Sequence, residues 1–165
     1  MNPVEVNVAG LLRRTAEFIQ GKASECDVEL VLDIADDIPA TIGDRNQLEQ
    51  VFLNLAVNGI DAMKRGGKLL MAAARRGDQV VISFIDTGPG IPSRDIPRVF
   101  DPFYTTKSSG TGLGLALSWS IIERHGGSIQ VENVSEDGGA RFDVILPLQR
   151  NTGRERTTRW TLPGG

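Results

Sequence analysis

The run Asn54-Leu-Ala-Val-Asn58 sets two carboxamides one helical turn apart. Asn is a poor mid-helix residue, so a solvated helix side would ordinarily carry Lys, Glu or Arg instead. An amide oxygen is a hard ligand. Mg²⁺ takes one or two protein ligands and completes its shell with phosphate and water. Asn58 suits such a ligand, and Asn54 suits the positioning of phosphate or water. A second group is Asp86-Thr-Gly-Pro-Gly90. Val80, Ile82 and Phe84 alternate in phase with Asp86, so the carboxylate points to the same side as three apolar residues. It needs donors there. The turn amides of Gly88 and Gly90 can supply them, and so can the exocyclic amine of adenine; both readings can hold together. Third, Gly110-Thr-Gly-Leu-Gly114 opens a helix, where glycines allow close approach and the helix end favours phosphate; a purely structural turn is the alternative. In Phe100-Asp-Pro-Phe-Tyr-Thr-Thr-Lys107, three aromatics need a seat in the core or a partner surface, and Lys107 is placed to reach a γ-phosphate. No Walker A or Rossmann fingerprint occurs.

The elements that must hold these residues follow from periodicity. Val8, Leu11, Leu12, Thr15, Ala16 and Ile19 predict an amphipathic helix over 8–23. A strand follows over 28–34, then a turn and a short extended piece at Thr41-Ile42. Asp44 and Gln47 resemble a capping box that starts a helix to about Lys64. Its apolar face is Leu48, Val51, Phe52, Leu55, Gly59 and Ala62. Gln47, Gln50, Asn54, Asn58 and Asp61 form a polar stripe beside it. Strands are expected at 68–76 and 79–86, joined at Gly77-Asp78. Residues 88–112 have little periodicity, and a loop of that length is functional or disordered. A helix over 113–125 stops at Gly126-Gly127, and strands at 128–134 and 140–147 end the pattern. The predicted fold class is α/β (α+β): a two-layer sandwich, its mixed, mostly antiparallel sheet covered on one face by helices.

The 165 residues suffice for one domain with a core, placed at 1–148. Residues 149–165 are arginine-rich with a Pro-Gly-Gly end and read as a disordered tail or linker remnant. A formal net charge of −3 gives no sign of a nucleic-acid partner. No apolar run approaches a membrane span, and the first residues lack signal-peptide character, so a cytoplasmic setting without direct membrane contact is expected. The lone Cys26 reads as a small packing residue.

Taken in order, these motifs resemble the ATP-binding catalytic domain of bacterial sensor histidine kinases, which has the Bergerat fold shared with gyrase-type and chaperone ATPases. Asn54 to Asn58 resembles the N box, Asp86 to Gly90 the first glycine box, Phe100 to Phe103 the F box, and Gly110 to Gly114 the second glycine box. The Phe100–Lys107 run is most similar to the nitrogen-regulator type. The resemblance implies ATP and Mg²⁺ as cofactors. It places Asn58, Asp61, Asp86, Gly88, Gly90, Ile91, Phe103, Thr111, Gly112, Leu113, Gly114 and Leu115 around the nucleotide. Asn58 would be the metal ligand, Asn54, Asn58 and Lys107 would be catalytic, and residues 91–109 would form a lid. ATP-hydrolysing relatives typically carry a general-base Glu where this chain has Asn54, whose amide offers no basic lone pair. Two departures stand out: Gly59 where the family usually has Ala, and Ala140 where a Thr often aids adenine binding.

The family phosphorylates a histidine on a separate dimerisation domain, then passes phosphate to a response regulator receiver domain; both are the implied partners. The only histidine, His125, precedes Gly126-Gly127 and reads as a helix-end residue, favoured by the dipole if protonated, not as an acceptor. The chain is therefore expected to be a monomeric catalytic piece that binds Mg·ATP without phosphorylating itself. A serine-phosphorylating anti-sigma switch protein shares the fold and is the alternative.

Overall fold

The computed structural model describes residues 1–105 and 110–148. Seven strands and three helices run in the order β1 (Val4–Val6), α1 (Val8–Glu25), β2 (Val28–Ile34), β3 (Thr41–Gly43), α2 (Arg45–Asp61), β4 (Gly67–Arg76), β5 (Gln79–Asp86), α3 (Gly114–Arg124), β6 (Ser128–Ser135) and β7 (Gly138–Pro147). The main sheet has the order β2-β4-β5-β7-β6. Only β2 and β4 pair in parallel. Parallel neighbours need a crossover, and the segment carrying α2 provides it. That crossover lays α2 against the sheet beside the end of β5.

Periodicity explains the packing. Leu12 and Ile19 of α1, Leu48, Phe52 and Leu55 of α2, and Ile121 and Ile122 of α3 are all buried. They meet Leu69, Met71, Ile82, Phe84, Val144 and Leu146 from one face of the sheet. The rings of Phe52 and Phe84 lie 5.8 Å apart and tilted. The other face carries a polar network: Arg141 Nε bridges both oxygens of Asp143 at 3.0 Å, and Ser83 Oγ donates to the same carboxylate.

Four features differ from the sequence expectations. β1 was not foreseen; three residues are too few for a readable alternation, and it forms by pairing with β3. The capping box is half made. Asp44 Oδ1 accepts from the amides of Asn46 and Gln47, but the Asp44 amide donates to His125 Nε2 at 2.9 Å, leaving Gln47 Oε1 buried without a partner among the described residues. The long loop holds a turn of 3₁₀ helix at Ile96–Arg98. Ala62, placed on the apolar face of α2 by spacing, is only half-buried, at the helix end. The expectation for residues 149–165 lies outside the described residues.

Candidate functional site

The mid-helix Asn residues and the strand-end acid meet at one cavity of about 330 Å³, within the usual range for small-molecule sites. Asn54, Asn58, Gly59 and Ala62 line it from α2, and Asp86 from the end of β5. Gly90 and Ile91 follow directly. Thr111, Gly112, Gly114 and Leu115 come from the start of α3, and Ala140 and Phe142 from β7. Tyr104 and Thr105 close the loop side. Four segments distant in sequence thus share one concave surface.

Asp86 is only 5% exposed. Its Oδ1 accepts from the Gly88 amide at 2.9 Å and the Ala140 amide at 3.3 Å. The second donor is therefore the neighbouring strand β7, not Gly90 as the turn alone suggested. Both bonds fall on one oxygen. Oδ2 receives no hydrogen bond from the described residues and remains an acceptor for a ligand N–H. Burial pushes the Asp86 carboxyl above its usual range, and the two amides oppose that shift.

On α2, the Asn54 Nδ2 donates to Ser118 Oγ of α3 at 3.0 Å. A Cβ on Gly114 would lie 2.7 Å from Asn54 Oδ1, so glycine is what lets α3 start against that carboxamide. Asn54 ties the two helices together besides facing the cavity. Gly59 leaves room that Leu69 fills, a Cβ there falling 2.9 Å from Leu69 Cδ1. Asp61 forms an ion pair with Lys22 of α1 at 2.9 Å and does not line the cavity.

In the loop before α3, Phe100 is the aromatic that seats in the core, 4.9 Å from Trp119 and 6.3 Å from Phe142 between ring centroids. Phe103 does the reverse. Its φ is +68°, its ring is 75% exposed, and its amide donates to Gly112 O at 2.9 Å. Gly112, with φ +70°, packs so tightly on the Phe103 backbone that a Cβ would come within 2.3 Å. Tyr104 lies under the Arg98 guanidinium, 5.1 Å from its centroid. Gly88 and Leu113 are not among the lining residues; Gly88 donates to Asp86 and Leu113 caps the start of α3. Lys107 lies outside the described residues.

His125 is buried. Nδ1 lies 2.7 Å from Ile121 O and must donate, while Nε2 accepts from the Asp44 amide. This arrangement fits the ring with one hydrogen. Ser118, Tyr104 and the Ala140 amide were missed by sequence reasoning. Ser118 sits one turn beyond Gly114, a spacing that points it at α2; a backbone amide leaves no signal in residue types.

Residues 43–150 match the profile of the family described as histidine kinase-, DNA gyrase B- and HSP90-like ATPases. The chain belongs to this family. Among relatives of the ATPase family, sporulation kinase E of Bacillus subtilis is 41% identical over 154 residues, covering 92% of this chain and 21% of that protein. Sensor histidine kinase ZraS of Escherichia coli O157:H7 is 37% identical over 143 residues, covering 87% of this chain and 31% of that protein. The chain thus spans about a fifth to a third of these curated relatives. The catalytic domain of histidine kinase ThkA superposes with a TM-score of 0.81 at 30% identity, covering 89% of this chain and 98% of that one. Full-length ShkA in complex with AMPPNP gives 0.79 at 31%, covering 89% and 31%. The expected Bergerat fold is therefore the observed one.

Proposed function

We propose that this chain is the catalytic domain of a sensor histidine kinase. In this reading it binds Mg·ATP and passes the γ-phosphoryl group to a histidine on a separate dimerisation domain. The observation that carries it is the convergence of Asn58 and Asp86 on one cavity. Asp86 Oδ2 accepts the adenine amino group, because its other oxygen is already used by Gly88 and Ala140. Asn58 offers one hard oxygen to Mg²⁺. Among the described residues there is no cluster of three or more His, Cys, Asp or Glu side chains for a metal, and a single amide ligand is what a phosphate- and water-coordinated Mg²⁺ accepts. Bound there, the ion neutralises phosphate charge. The chain's own part is positioning: Gly112 and Gly114 present backbone to the phosphates at the start of α3, and Asn54 holds that start in place. With an amide at Asn54 in place of a carboxylate, that position offers no general base to activate water. Lys107 is proposed for the γ-phosphate, and residues 91–109 for the lid.

The domain would occupy residues 1–148 and work in the cytoplasm, and among the described residues no helix is long and apolar enough to cross a membrane. A receiver domain is the proposed downstream partner. ThkA has been crystallised with response regulator TrrA, and that ThkA chain superposes here with a TM-score of 0.76 at 29% identity, covering 88% of this chain and 41% of that one. The Phe100–Lys107 run favours the nitrogen-regulator type. The relatives are sensor and sporulation kinases, which disfavours the serine-kinase switch.

Calorimetric titration with ATP, with and without Mg²⁺, tests the binding half. Mixing with a separately made acceptor hairpin and labelled ATP tests transfer. Binding without any Mg²⁺ effect, or label stable to acid on serine, would overturn the reading.

A further inference from the structure

Asn133 ends the regular part of β6 and does not line the cavity. Its carboxamide nevertheless makes two hydrogen bonds to one residue that does. Oδ1 accepts from the Ile91 amide at 2.8 Å, and Nδ2 donates to the Ile91 carbonyl at 2.7 Å. The side chain thus does to Ile91 what a neighbouring strand would do, where no strand reaches. Gly90 is shaped for this. Its φ is +77°, and a Cβ would stand 2.8 Å from Asn133 Oδ1 and 3.3 Å from Gly139 O. Alongside, the Gly139 amide donates to Gly88 O at 2.7 Å, and Ala140 donates to Asp86. The whole stretch from Asp86 to Ile91 is held against the β6–β7 hairpin, and beyond Ile91 the chain departs into the loop.

We propose that Asn133 is a positioning residue for nucleotide binding: its two-bond clamp on Ile91 fixes the base-side wall of the cleft. The proposal rests on the ATP-binding reading above. Ile91 is five residues from the adenine-binding Asp86, so the clamp acts on the base end and serves adenosine and ATP alike. The carboxamide is required as donor and acceptor together. A carboxylate of the same shape keeps the bond from the Ile91 amide but sets an oxygen against the Ile91 carbonyl.

Asn133→Ala and Asn133→Asp, each compared with wild type, test this by ATP titration, adenosine titration and amide hydrogen exchange. In each variant ATP and adenosine should weaken by the same factor, about tenfold, in Ala because both hydrogen bonds are lost and in Asp because one is lost and an oxygen is set against the Ile91 carbonyl. Exchange should accelerate at Ile91 in the Ala variant, with β5 and the centre of β7 unchanged. An Asp variant that binds like wild type would show that only bulk at this position matters and would overturn the clamp, as would unchanged affinity in the Ala variant. Faster exchange throughout β5 and β7 would mark a general structural role and overturn it too. If the wild-type chain itself binds no ATP, the ATP-binding reading fails first and takes the clamp with it, an outcome distinct from failure of the variants alone.

Discussion

Asp86 shows how a single side chain balances binding against stability. Burial disfavours its charged form, so the folded domain holds a proton there at higher pH than the unfolded chain does. For such a group, the contribution to stability is largest below the unfolded value and is lost as pH rises through the folded one. Once ionised, Asp86 therefore burdens the nucleotide-free fold. In Asp86→Asn the amide oxygen can keep the Gly88 and Ala140 bonds, but an NH₂ then faces the adenine amine, donor against donor. We expect ATP affinity to fall by about 30- to 100-fold, with no loss of melting temperature without nucleotide; calorimetry and thermal melts check both. Wild-type ATP affinity should also decline on acidification from a pH above the ordinary carboxylate range of about 3.9, and this acid limb should vanish in the Asn variant. For Asn58→Ala, the difference between titrations with and without Mg²⁺ should disappear. A difference of full size would place the ion elsewhere.

Between elements, the decisive contacts are made by groups whose types say little alone. Glycine at 43 is needed because a Cβ there would lie 2.6 Å from the His125 ring, and that ring joins the start of α2 to the end of α3. Gly43→Ala should expel the ring, break its bond with the Asp44 amide and cost about 2–3 kcal/mol, measured by urea unfolding. The sequence legibly marked α1, α2 and most strands, because each carries a sustained apolar period. Asn54, Asn58 and Asp86, which line the cavity, were legible too, since two Asn in mid-helix and an acid in an apolar phase both contradict local preference. What stayed hidden was pairing across elements: β1 with β3, Asp44 with His125 instead of Gln47, Asn54 with Ser118, Asn133 with Ile91. Each joins residues whose separation leaves no periodic trace. Phe103 misled for a related reason: its main chain is what Gly112 uses, and its ring points to solvent.

At the scale of the molecule, the site needs α2, β5, α3 and β7 together, but not a phosphoryl acceptor. His125 Nε2 is buried and engaged by a backbone amide, so it cannot attack ATP in the folded state. Incubated alone with labelled ATP, the chain should gain no acid-labile label, and clear labelling would refute that division of labour. Beside His125, Thr41 Oγ1 donates to Pro147 O at 2.7 Å. The small β1–β3 ladder is thereby fastened to the last strand of the main sheet, and the molecule closes on itself around the core.

That last strand, β7, sits inside the sheet, between β5 and β6. During synthesis it leaves the ribosome after every other described element, so until then β5 presents a bare hydrogen-bonding edge and β6 has nothing to pair with. Asp86 meanwhile waits for the Ala140 amide. A nascent chain halted in the β6–β7 turn would hold nearly all of its apolar residues and no finished cleft, a species prone to clumping. Completion is therefore late and concerted: the strand that finishes the sheet is the same one that readies the carboxylate for its ligand.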